Sequence, residues 1–118
     1  MAFGLRRPRR QILGGYFSGV IEALGAGVSA FEPGQALFGS AGIRMGAYGE
    51  YMTLPETATL VDKPSNLGFE EAAAVPLGGL NALHFLRRAR VQPGEQVLVN
   101  GAGGSIGIFG VQLAKAMG

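Results

Sequence analysis

The chain has 118 residues, 47% hydrophobic and 15% charged, with no cysteine, which excludes a disulfide scaffold, a thiolate metal centre and a highly charged disordered chain. Its net charge of +2 is uneven: Arg6, Arg7, Arg9 and Arg10 form a basic arm over 1–10, whereas residues 11–118 hold six Lys or Arg against eight Asp or Glu. Four arginines with no basic or aromatic face behind them argue against a nucleic-acid partner. The lack of an apolar run near ~18 residues argues against a membrane span, and the lack of a secretory core points to the cytoplasm.

Residues 11–62 read as short strands separated by turns, the pattern of an all-β unit. Phe17, Val20, Ile21 and Leu24 lie in the first β-rich stretch, and Val28–Phe31 is a second short piece. Glu32–Pro33–Gly34–Gln35 is a strong turn signal, since proline sets one backbone angle and glycine accepts the other. Ala36–Leu37–Phe38, the alternating Ala47–Leu54 and Thr59–Leu60–Val61 follow as strands. The pattern changes near Pro64. Phe69–Val75 predicts a short helix ended by Pro76, and Leu77–Arg90 a second helix with Leu80, Ala82, Leu83, Phe85 and Leu86 inward. Val91–Glu95 is a turn, Gln96–Asn100 a short buried strand, and Ile108–Met117 a helix.

Between that strand and helix lies Gly101–Ala102–Gly103–Gly104–Ser105–Ile106–Gly107, with glycines spaced G-x-x-G-x-x-G. Strand, glycine loop and helix in this order open a dinucleotide-binding unit. Glycines let the backbone turn sharply and approach a pyrophosphate, and the free N–H groups and positive dipole of the helix start face the anion. The spacing departs from strict G-x-G-x-x-G, so a glycine-rich turn without a ligand is the bland alternative. The same residues also match G-x-S-x-G, the nucleophile elbow of α/β-hydrolases, which would make Ser105 a nucleophile. That reading needs an acid and a histidine downstream, and neither follows Ser105. No Gly-Lys-Ser/Thr follows either, so a P-loop is weaker still.

Several ordered blocks together resemble the medium-chain dehydrogenase/reductase superfamily, on its zinc-independent quinone oxidoreductase side. They are Ile12–Gly25, Phe31–Gly39, Gly46–Tyr51, Glu70–Leu80 and Val97–Gly107 with Val111–Lys115 after it. The resemblance implies an α/β chain, α+β overall: a partial GroES-like β domain over 11–74 and the first β-loop-α of a Rossmann fold over 75–118. It further implies NADPH-dependent reduction of a quinone or another α,β-unsaturated carbonyl by hydride transfer, with NADH left open. The small-molecule substrate itself stays unnamed, and a homo-oligomer is allowed. The cofactor-binding residues it implies are Asn81, Gly101, Ala102, Gly103, Gly104, Ser105, Ile106 and Gly107.

The departures carry expectations of their own. Zinc-dependent relatives have Gly-His-Glu near Gly15–Tyr16–Phe17, so no catalytic zinc is expected. Tyr16 replaces a frequent Asp. Gln35 stands where an Asp usually caps its turn and is expected to loosen it. Asn81 replaces a Thr whose hydroxyl faces the cofactor. By the same resemblance the early β strands and the ribose-binding residue, ~20 residues past the loop, fall outside the sequence. The expectation is thus a truncated piece whose own activity is in question, the alternative being a non-catalytic remnant that binds partners or self-associates. Of the other residues, His84 reads as structural rather than an acid or base. Tyr48 and Tyr51 point to opposite faces of a strand, one into the core. Glu70 and Glu71 favour a helix start, and Met45, Met52 and Met117 read as packing.

Overall fold

The structure, a computed structural model, describes residues 11–118. The arginine arm lies outside the described residues. The chain divides into two compact units between Ala74 and Val75.

The first unit holds three antiparallel strands in the order β1 (Tyr16–Val20), β2 (Ala36–Ser40) and β3 (Thr59–Asp62). Phe38 is the hinge of the register, opposite Ser18 on one side and Val61 on the other. Leu37, Ala41 and Ala72 are its buried apolar residues, and Gly39 is buried on the central strand between the first two. The turn at Glu32–Gln35 forms as expected: the Gln35 N–H donates to the Glu32 carbonyl at 3.2 Å, and Gly34 takes φ +84°. Proline followed by glycine in the left-handed region is the arrangement of a type II turn. Gln35 does not loosen it. Its Oε1 accepts the Glu32 N–H at 3.0 Å while its Nε2 donates to the Asp62 carboxylate, tying the turn to the end of β3.

Two strands expected in the first unit do not form. Val28–Phe31 makes no ladder because the Ser29 and Ala30 N–H groups donate to the Glu56 carboxylate at 3.0 and 2.6 Å. Ala47–Leu54 makes none because its first donors turn back, Ala47 to the Gly14 carbonyl and Tyr48 to that of Leu13. Neither tyrosine enters a core: Tyr48 is 82% and Tyr51 75% exposed. Met45 and Met52 are half-buried.

The expected helix pair is one helix, α1 (Phe69–Ala89), which runs through Pro76. Proline removes one helical hydrogen bond, that to the carbonyl four residues earlier, and crowds that carbonyl. Here a long helix with two well-made ends absorbs the loss. At its start the Glu71 carboxylate reaches back to the Gly68 N–H at 2.8 Å, half of a capping box. At its end the Arg90 N–H donates to the Arg87 carbonyl and the Val91 N–H to that of Leu86, with Arg90 at φ +57°. This is a Schellman motif with arginine where glycine is favoured. Ala82 and Leu86 are buried as expected, but Leu80 and Phe85 are 58% and 57% exposed.

The turn at Gln92–Glu95 repeats the Pro-Gly arrangement, with Gly94 at φ +84°. Beyond it, Gln96–Asn100 is not a buried strand. It pairs with no described residue, and Leu98 is 95% exposed. The second helix, α2 (Ser105–Ala116), follows the glycine loop and includes most of the expected Ile108–Met117.

Candidate functional site

The loop before α2 is shaped by two positions. Gly101 has φ +76°, a left-handed backbone that a side chain disfavours, and its carbonyl receives the Gly104 N–H at 3.0 Å. Gly107, one turn into α2, is buried against the loop: a Cβ there would lie 2.7 Å from the Ala102 Cα and 2.9 Å from its carbonyl carbon. The missing side chain therefore seats the helix start directly on the loop. Gly78 of α1 serves the same purpose on the neighbouring helix, since a Cβ on it would stand 2.7 Å from the Ser105 carbonyl oxygen and collide with the Phe109 ring.

The first helical bond of α2 runs from the Ile108 N–H to the Gly104 carbonyl at 2.9 Å. The N–H groups of Ser105, Ile106 and Gly107 precede it and have no helical acceptor. Gly104 is the N-cap, no side chain caps it, and no acidic residue stands in the first turn. The end of α2 thus presents three donors and the positive end of its dipole with nothing negative to answer them. A Cβ on Gly103 would meet nothing within 4 Å, and one on Gly104 only the Gly101 carbonyl oxygen at 3.4 Å. The Gly103 backbone is therefore uncrowded on its Cβ side.

A cavity of about 590 Å³ borders this loop and is lined mainly by apolar groups, with Phe85 and Leu86 of α1 on one side and Val97 and Leu98 on another. It brings together Gly101, Gly104, Ser105, Ile106 and Gly107 but not Ala102, Gly103 or Asn81. Asn81 donates its side-chain amide to the Leu77 carbonyl of its own helix at 2.7 Å, which leaves its Oδ1 as the free polar atom. Ser105 makes no hydrogen bond to His84, whose exposed ring packs edge-on against Phe85 at 5.6 Å. The hydrolase alternative finds no nucleophile–base pair here. Among the described residues no group of three or more His, Asp or Glu could hold a metal ion. Sequence reasoning missed Phe85 as a lining residue, because helical periodicity placed it inward.

Residues 2–65 match the alcohol dehydrogenase GroES-like domain, more than half of the chain. The chain belongs to the medium-chain dehydrogenase/reductase superfamily. It is 39% identical over 107 residues to the quinone oxidoreductase of Pseudomonas aeruginosa, covering 90% of this chain and 32% of that protein. The quinone oxidoreductase of Pseudomonas syringae pv. Tomato DC3000 superposes with a TM-score of 0.79 at 40% identity, over 90% of this chain and 32% of its own. An NAD-dependent alcohol dehydrogenase superposes at 0.84 and 35% identity, over 98% of this chain and 41% of its own. The chain thus spans about a third of the length of the quinone oxidoreductases it matches. Within the superfamily it is quinone oxidoreductase-like. No described helix is long and apolar enough to cross a membrane.

Proposed function

We propose that this chain belongs to a zinc-independent, NADPH-dependent oxidoreductase of the cytoplasm that reduces a quinone or another α,β-unsaturated carbonyl. Within it the chain would join the GroES-like domain (11–74) to the opening β-loop-α of the Rossmann domain (75–118). The observation that carries this reading is the uncapped start of α2, whose three N–H donors without helical acceptors stand beside the uncrowded Gly103. A pyrophosphate oxygen suits such a place by charge and as a hydrogen-bond acceptor. The reduced nicotinamide, when bound, supplies the hydride. The chain's own residues bind and orient: the N–H groups of Ser105, Ile106 and Gly107 hold the phosphate, and the Asn81 Oδ1 offers one acceptor. Gly101, Ala102 and Gly107 keep the loop in the shape that aims those donors.

The test is thermal unfolding of the 118 residues with and without NADPH. A ligand that binds only the folded chain at a hundredfold excess over Kd adds about 2.7 kcal/mol of stability. A transition that moves upward with NADPH supports the reading, and one indifferent to saturating NADPH and NADH refutes it for this chain.

A second reading is favoured by one observation. Leu98 at 95% exposure, with Ile106 and Ile108 at 40% and 47%, leaves apolar surface around the loop in water. Such surface marks contact sites. A remnant that self-associates through it would give an oligomer whose mass rises with concentration and ignores NADPH.

A further inference from the structure

We infer that Asn100–Gly101 is a site of spontaneous deamidation at the mouth of the glycine loop. Asn100 is exposed and lies in the turn that begins the loop. Among the described residues its side chain makes no hydrogen bond, and the Gly101 N–H donates to no acceptor. The atom to be attacked and the attacking nitrogen are both unengaged. Gly101 has no Cβ, and the place one would occupy meets nothing within 4 Å, so no side chain of its own hinders the nitrogen.

The chemistry needs only water. The Gly101 nitrogen attacks the Asn100 side-chain carbonyl carbon and a five-membered imide forms. The Cγ–Nδ2 bond breaks and ammonia leaves, taking the Gly101 amide proton. Water then opens the imide at the side-chain carbonyl to give aspartate, or at the backbone carbonyl to give isoaspartate, which carries an extra methylene in the main chain. Either product converts a neutral amide into a carboxylate beside the positive end of α2. That carboxylate takes the place of an anion at the helix start and repels another. On the proposed dinucleotide reading, deamidation is a slow switch that lowers affinity for the cofactor phosphates.

The other two asparagines are controls within the same chain. Asn66 is exposed like Asn100 but is followed by Leu67, whose side chain hinders the attacking nitrogen. Asn81 is held in α1 by its bond to the Leu77 carbonyl. The experiment is incubation of the whole chain in mildly alkaline buffer, with peptide mapping by mass spectrometry at intervals. Asn100 should convert at least about tenfold faster than Asn66 or Asn81, because only its neighbour lacks a Cβ. Conversion no faster than at Asn66 overturns the site. A second arm measures NADPH binding by calorimetry for the fresh chain and for Asn100→Asp. An affinity about tenfold weaker in the variant is expected from a like charge at the phosphate site, and equal affinity overturns the switch. A fresh chain that binds no NADPH defeats the dinucleotide reading alone, and the mass-spectrometric result still decides the site.

Discussion

Gly107→Ala is the substitution that weighs most on the loop geometry. Two effects oppose each other there. Alanine is a better helix former than glycine by ~1 kcal/mol, which favours the variant. Against it, the new methyl would stand 2.7 and 2.9 Å from two backbone atoms of Ala102. That is about 1 Å short of the ~3.5–4.0 Å optimum for carbon contacts. No rotamer relieves a clash with backbone, so the loop and helix must separate, at the upper end of the ~1–3 kcal/mol that overpacking costs. The net expectation is a loss of about 1–2 kcal/mol. Gly110→Ala, one turn later, isolates the propensity part. Its Cβ would sit 3.7 Å from the Val99 Cγ1, an ordinary contact, so only the propensity gain of ~0.5–1 kcal/mol remains. Urea unfolding followed by far-UV circular dichroism should therefore separate the two variants by roughly 1.5–3 kcal/mol in opposite directions. A Gly107→Ala chain as stable as Gly110→Ala would refute the claim that the helix start is seated on the loop.

Three further outcomes are expected. Arg90→Gly should raise stability by roughly 0.5–1 kcal/mol, because relief of a left-handed arginine (about 1–2 kcal/mol) exceeds the extra chain entropy of glycine. A destabilised variant would sink the Schellman assignment. Gly103→Ala should raise stability by roughly 0.4–1 kcal/mol while weakening NADPH binding about tenfold, since its methyl meets no protein atom and would meet the phosphate; unchanged affinity by calorimetry counts against the cradle. The Glu56 carboxyl is held below the usual carboxylate range by the Ala30 and Ser29 N–H groups. With the folded value lower than the unfolded one, its contribution to stability is complete above the ordinary carboxylate range and is lost as pH falls through the lowered value. Glu56→Gln should flatten that acid limb of the stability curve, and an unaltered limb would show that the two bonds carry no linkage.

What could be read from the sequence follows the range over which each element is determined. The turns at Glu32–Gln35 and Gln92–Glu95 were legible because proline and glycine dictate adjacent backbone angles by themselves. The glycine loop and α2 were legible for the same reason, since the special residues and the helix they start are contiguous. Ala47–Leu54 was not. Alternation belongs to one segment, whereas a strand needs a neighbour, and the Gly14 and Leu13 carbonyls claim its first donors. Glu56 gave no signal, because the amides it holds lie 26 and 27 residues away. Pro76 misled through a local rule: proline does break marginal helices, but the Gly68–Glu71 cap and the Schellman end make α1 a single 21-residue helix. Gln35 misled in the other direction. Its longer side chain reaches both its own turn and Asp62, so a departure from the family pattern tightens the turn it was expected to loosen.

The loop glycines also separate what the fold requires from what a ligand would require. Gly101 is demanded by its backbone angle and Gly107 by its neighbours, so both would be selected in a chain that bound nothing. Gly103 has neither reason: its φ is not positive and its surroundings are empty. Folding alone would favour a residue with less entropy to lose there, by roughly 0.4–1 kcal/mol. On the proposed reading, glycine there, beside three N–H groups without helical acceptors, leaves room for a phosphate to approach the backbone. Residues chosen at random at 103 and screened once for folding and once for retention on an immobilised dinucleotide would divide the two causes. If every residue that folds is also retained, the position answers to the fold, and the phosphate reading loses its main support.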